Sequence, residues 1–230
     1  MRLITLNKSK PTMTLDFYGC PLHCRYCAHM MREKIDYSFD QVKNILLDYD
    51  VKTVVFGGAE PSLQKKELMV MIKLMNKAGK EVVLKSTGHD PQFIKETLPY
   101  VNKYILEVKV PLDDPAGLAA LTGYDEEHAR AHLEGMKVMM DAIKGKDVMA
   151  TVRILPTYYD EQRIGRIGKD LEGVAKMVYL SQFLSSPYDL PFGSLLVPSP
   201  SEDVMMVLGR SMRQHIPSVR VQGNGFDHWL

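Results

Sequence analysis

Cysteine is nearly absent from this 230-residue chain: there are three, all between positions 20 and 27, and none follows Cys27. An odd trio crowded into one short stretch builds no disulfide scaffold, so these thiols read as placed for chemistry in a reducing, cytoplasmic setting. An excess of charge is missing too. Lys and Arg number 29 against 28 Asp and Glu, a formal net charge of +1. That leaves no global basic field to draw the chain to nucleic acid or to an anionic membrane. No apolar run reaches the roughly 18 residues of a membrane helix, and the opening MRLITLNKSKP lacks the apolar stretch of a signal peptide. Repeats, low-complexity tracts and dividing linkers are also lacking, so residues 1–230 read as one domain.

What is present is core-forming material. Hydrophobic residues make up 45% and charged residues 25%, the balance of a globular fold. β-rich runs at Met13–Tyr18, Thr53–Phe56, Glu81–Ser86, Tyr104–Val110, Val148–Leu155 and Met177–Phe183 alternate with helical patterns. Several of these runs are continuously apolar, as expected of strands buried on both faces. Ser38 reads as the N-cap of a helix over Phe39–Tyr49. Leu68, Met71, Ile72 and Met75 form a stripe closed by Gly79, and further helices are predicted at Glu126–Lys144, Gln162–Lys176 and Ser201–His215. Such alternation predicts a mostly parallel sheet with right-handed crossovers. Six strands, with Val219–Gln222 a candidate seventh, are too few for a closed eight-stranded barrel. Pro187–Pro200 reads as one long irregular loop.

The chemistry centres on Cys20-Pro-Leu-His-Cys24-Arg-Tyr-Cys27, just after the first predicted strand. Three thiolates on one tight loop can converge on a cubane iron–sulfur cluster, leaving one iron open to a small chelating molecule. The competing reading is structural zinc completed by His23 or His29, although no second knuckle exists to pair with it. Catalytic thiol chemistry needs no such crowd.

At these residues the chain resembles the radical SAM superfamily: three Cys at the family spacing, an aromatic, Tyr26, before the third, and an α/β chain of suitable length. The resemblance implies a partial (β/α)6 TIM-like barrel of mostly parallel strands, with a [4Fe-4S] cluster on Cys20, Cys24 and Cys27. It implies that the open iron holds S-adenosyl-L-methionine, and that one electron yields methionine and a 5′-deoxyadenosyl radical that abstracts hydrogen.

Further motifs extend the resemblance. Gly57-Gly58-Ala59-Glu60-Pro61 stands where the superfamily carries a Gly-Gly-Glu-Pro-like turn against the methionine part of the cofactor, with Ala59 in place of the second glycine. Lys85-Ser86-Thr87-Gly88 ends the third predicted strand, and Glu107-Val108-Lys109 lies in the fourth. Glycyl-radical enzyme activating enzymes, the closest-looking group, carry acids at the positions of Lys85 and Glu107, where they help hold a monovalent cation. A lysine at position 85 is therefore expected to pair with Glu107 directly. By the same resemblance Tyr26, Gly57, Gly58, Ala59, Glu60, Ser86, Glu107, Lys109 and Arg153 are the expected cofactor contacts. The implied partners are an external electron donor of the flavodoxin or ferredoxin type and a glycyl-radical enzyme whose glycine is the target. Neither nucleic acid nor membrane is expected as a partner.

Other patterns carry less. His128 and His132 share a helical face without the glutamate of a zinc-protease motif, and read as an exposed face. Gly165-Arg166-Ile167-Gly168 lacks the surroundings of an RNA-binding KH loop. The absence of cysteine after Cys27 excludes a second Cys-ligated cluster within this chain. Deazaguanine-forming relatives place a hydroxyl residue soon after the third Cys, whereas Ala28 and His29 follow here. Beside the activating-enzyme reading stand two alternatives: a radical enzyme acting on a small metabolite, and a zinc-bound scaffold without redox chemistry.

Overall fold

The computed structural model describes residues 1–24, 26–27, 32–184 and 198–230. The irregular stretch expected at Pro187–Pro200 falls outside the described residues up to position 197, as do Ala28 and His29.

Ten strands form one sheet in the order β10-β9-β8-β7-β6-β5-β4-β2-β1-β3. They are β1 (Arg2–Ser9), β2 (Thr12–Phe17), β3 (Ile35–Asp36), β4 (Thr53–Gly58), β5 (Glu81–Ser86), β6 (Lys103–Glu107), β7 (Asp147–Ile154), β8 (Met177–Gln182), β9 (Val219–Gly223) and β10 (Phe226–Trp229). From β2 through β9 every neighbouring pair is parallel, and β3 and β1 at one margin and β10 at the other pair antiparallel. Adjacent parallel strands follow chain order, so each right-handed crossover advances the same way and the sheet curls without closing: a partial barrel. The candidate seventh strand joins the parallel set.

The intervening helices are α1 (Phe39–Asp48), α2 (Lys65–Lys77), α3 (Pro91–Thr97), α4 (Pro115–Thr122), α5 (Glu126–Ile143), α6 (Glu161–Leu171) and α7 (Glu202–Arg213). Ser38 caps α1 through a reciprocal box with Gln41. α3 and α4, which the apolar pattern did not indicate, each start at an Asp N-cap followed by Pro: Asp90-Pro91 and Asp114-Pro115.

Strands on the C-terminal side are not buried on both faces, contrary to the reading of their apolar runs. Along β7 the buried residues Val148, Ala150, Val152 and Ile154 alternate with Asp147, Met149, Thr151 and Arg153, which are exposed or half-buried. The apolar set joins the core with the helices; the other set faces the open interior of the barrel. α5 corrects a second expectation. His128 is exposed and bonded to its N-cap Asp125, but His132 lies with Ala129, Leu133 and Met136 on the inward face and is only 8% exposed.

Candidate active site

The loop carrying the cysteines leaves the C-terminal end of β2 and is tied down by backbone bonds. Ala59 N–H donates to the carbonyl of Phe17 (3.1 Å), Glu60 N–H to that of Gly19 (2.9 Å), and His23 N–H to that of Thr122 at the end of α4 (3.0 Å). The turn after β4 is thereby fastened to the root of the cysteine loop. Gly58 makes this approach possible: its φ is +91°, and a Cβ there would meet the Phe17 nitrogen at 2.5 Å.

Glu60 is fully buried and acts as a hub beneath the turn. Its carboxylate accepts from Ser62 N–H (3.2 Å) and Oγ (2.7 Å), from Thr87 N–H (2.8 Å) and Oγ1 (2.7 Å), and from Ser86 Oγ at 3.2–3.3 Å. The end of β5 is thus bolted to the turn after β4. Behind it the His132 ring bonds to the Thr87 backbone and packs edge-on against Tyr124, with centroids 6.2 Å apart. Burial, with help from nearby His89 and Lys109, lowers the His132 pKa to about 4, against the opposing Thr87 bond.

Above these supports opens a cavity of about 310 Å³ at the C-terminal ends of the strands, at the lower end of the usual size for small-molecule sites. Cys20, Cys24, Cys27 and Tyr26 form part of its wall, with Gly58 and Ala59 beside them. Lys85, Thr87, Glu107, Lys109, Thr151, Arg153, Tyr179 and Ser181 complete it across the successive strands, together with Leu22 and Arg32. Gly57, Glu60 and Ser86 were also expected to contact the cofactor, but they do not line the cavity; Glu60 and Ser86 brace its floor from below. Lining residues not picked out from the sequence include Thr151, Tyr179 and Ser181. Their signal was period-two spacing along β7 and β8, with Thr151 and Arg153, and Tyr179 and Ser181, on one face.

Glu107 sits between two ammonium groups. Lys85 Nζ is 2.8 Å from Oε2, the ion pair expected from the sequence, and Lys109 Nζ holds Oε1. Lys109 is 6% exposed, lies 5.5 Å from the Tyr26 ring centroid, and has its backbone carbonyl bound by Tyr159 Oη at 2.6 Å. Burial opposes both charges. The two lysines nonetheless hold Glu107 well below the usual carboxylate range, and Glu107 holds Lys109 well above the usual lysine range.

The three cysteines are half-buried and free of disulfides. Burial pushes the Cys20 thiol up to about 12 and raises that of Cys24; a positive metal centre is the partner that reverses such a shift and draws out thiolates. Three thiols sharing one cavity wall fit a cluster that takes three protein ligands.

Fold and site together are those of a half-barrel metalloenzyme. The chain belongs to the radical SAM superfamily, whose family model matches residues 15–165. The cofactors of that superfamily are a [4Fe-4S] cluster and S-adenosylmethionine, and this assignment sets aside the zinc scaffold. The chain is 25% identical over 223 residues, 93% of its length and 89% of the relative's, to a Methanocaldococcus jannaschii protein whose name proposes it as a glycyl-radical enzyme activating enzyme. It is 26% identical over 120 residues, 40% of this chain and 47% of the relative, to a 7-carboxy-7-deazaguanine synthase of Thermococcus kodakarensis. In fold it is similar to a domain of pyruvate-formate lyase-activating enzyme from Bacteroides vulgatus, with a TM-score of 0.56 and 15% identity over 70% of this chain and 93% of that one. No helix among the described residues is long and apolar enough to cross a membrane.

Proposed function

We propose that this protein is an activating enzyme that removes a hydrogen atom from a glycine of a partner enzyme. The observation that carries the reading is the shared cavity wall of Cys20, Cys24 and Cys27, facing the ion-paired Lys85, Glu107 and Lys109. When bound, the reduced cluster and S-adenosylmethionine supply a one-electron cleavage that ends in hydrogen abstraction from the substrate. Cys20, Cys24 and Cys27 hold the cluster. The turn at Gly57, Gly58 and Ala59 offers backbone groups to the cofactor, while Glu60 and Ser86 keep that turn rigid. Lys109, fixed by Glu107 and Tyr159 and lying near Tyr26, presents a constant positive charge to the cavity. Leu22 and Tyr26, both buried, keep water from that side, and Arg153 on the opposite wall suits a carboxylate or ribose.

The unbroken ten-stranded sheet supports reading residues 1–230 as one radical SAM domain, working in the cytoplasm with an external flavodoxin- or ferredoxin-type donor. The likeness to a deazaguanine synthase favours a second reading, a small-metabolite substrate. One experiment separates them. Anaerobically reconstituted, dithionite-reduced protein is given S-adenosylmethionine and candidate glycyl-radical enzymes. Formation of 5′-deoxyadenosine together with a glycyl EPR doublet on a partner supports activation. Cleavage that couples only to an added metabolite supports the second reading.

A further inference from the structure

The polar inner face of the sheet continues past the cavity. Strand register sets Glu107, Thr151, Tyr179, Arg220 and Trp229 in one row from β6 to β10, and Arg153, Ser181, Gln222 and Asp227 in the row beside it. Thr151, Arg153, Tyr179 and Ser181 line the cavity, and the β9 and β10 members of each row carry the surface outward. On the other face of β8 and β9, Val178, Leu180, Val219 and Val221 are buried. The polar rows are therefore presented surface and not core.

This outward surface is built in advance. Arg220 donates from Nε and Nη2 to Asp227 at 2.8 and 2.6 Å, and Gln222 Nε2 donates to the same carboxylate at 3.1 Å. Gln222 Oε1 accepts from Tyr179 Oη. The Arg220 guanidinium lies 5.7 Å from the Tyr179 ring centroid and 5.4 Å from that of Trp229. Trp229 is 59% exposed, the most exposed large hydrophobic side chain among the described residues, and the chain's single tryptophan. Tyr, Arg and Trp are the residues that binding hot spots favour, and side chains already locked lose little freedom on contact. Tyr179, Arg220, Gln222, Asp227 and Trp229 all lie beyond the matched residues 15–165.

Size decides the occupant. From β8 to β10 is two strand spacings, roughly 10 Å, which an extended polypeptide at about 3.3 Å per residue crosses in about three residues. A compact metabolite seated in a cavity of about 310 Å³ does not reach Trp229. Resting on the partner-acting reading above, we infer that the inner face of β8–β10 is the docking platform for an extended segment of the partner. An aromatic or large apolar side chain about three or four residues from its target glycine stacks on Trp229.

The test is an array of short peptides, each with one fixed glycine and randomised flanks, probed with the cluster-reconstituted enzyme. Retained peptides should share an aromatic or large apolar residue about three or four positions from the glycine. A selected peptide should shift Trp229 fluorescence saturably. Trp229→Ala should weaken that peptide roughly tenfold and erase the positional preference, and Arg220→Ala, which unlocks the stack, should weaken it in the same direction. The proposal is overturned if retention carries no positional preference, if Trp229→Ala leaves the preference intact, or if no peptide is retained above a glycine-free array. Cleavage of S-adenosylmethionine, measured on the same preparation, keeps the two readings apart. Cleavage without peptide preference removes the platform alone; a positional preference without any glycyl radical on candidate partners removes the activating-enzyme reading alone.

Discussion

Lys85 Nζ lies 2.8 Å from Glu107 Oε2 at the edge of the cavity, while Lys109 holds the other oxygen of the same carboxylate. Two acids placed there would need a cation between them; with lysine at one position, the charge is covalent. Cofactor binding should therefore not depend on added sodium or potassium. Lys85→Asp should create such a dependence, and Lys85→Ala should weaken S-adenosylmethionine by about 1–2 kcal/mol, roughly tenfold, through a less firmly held Glu107. Calorimetric titration in sodium, potassium and choline salts at matched ionic strength checks all three outcomes. A wild-type protein that binds only with potassium would falsify the idea.

Each of Cys20→Ala, Cys24→Ala and Cys27→Ala should lower iron and sulfide content after reconstitution and abolish reductive cleavage, because a cubane held by three thiolates loses a third of its protein anchoring at a stroke. Mössbauer spectra read the cluster, and chromatography of 5′-deoxyadenosine reads the reaction. Full cleavage by any one of the three variants would remove that residue from the ligand set.

Glu60→Ala should destabilise the fold by about 3 kcal/mol. It strands the Thr87 N–H and the hydroxyls of Ser62, Ser86 and Thr87 without their acceptor in a buried site. Urea unfolding measures the loss as a lower midpoint. An unchanged midpoint would mean that water replaces the carboxylate at no cost.

His132 gives the fold a pH response of known sign. Its folded pKa of about 4 lies below the ordinary histidine value of 6.5, so the unfolded chain binds the extra proton between those values. The stabilisation from keeping the ring neutral is complete above pH 6.5 and drains away as pH falls toward 4, on the order of 3 kcal/mol in all. Urea midpoints taken across this range should fall with pH in the wild type. In His132→Gln the same curve should be flatter, and a parallel curve would refute the assignment.

Much of this architecture was readable from residue order. Apolar runs located all seven parallel strands, since each of them must bury at least one face. The cysteine loop followed from its spacing, and the Lys85–Glu107 pair from the resemblance to activating enzymes, whose paired acids fall at these neighbouring strand ends. β1 and β10 escaped notice because margin strands need little apolar content: β1 ends Asn7-Lys8-Ser9, and β10 mixes Asp227 and His228 with its aromatics. α3 and α4 are too short to show a periodic stripe, and only their Asp-Pro starts announce them. His132 was misjudged because two residues four apart on a helix are neighbours, yet the boundary of the buried stripe runs between them. Which lining residues meet the cavity depends on how far the sheet curls, and no local pattern encodes that.

The anchoring of the cysteine loop also sets an order of assembly. The loop is made before the groups that hold it: its root waits for Glu60 and its middle for the carbonyl of Thr122. During synthesis the thiols are therefore made before they are fixed, which waits until Thr122 has emerged. Neighbouring parallel strands join in the order in which they are made, and an open sheet asks no final strand to find the first. Folding can thus run from one side of the sheet to the other, with the cysteine loop fastened partway along.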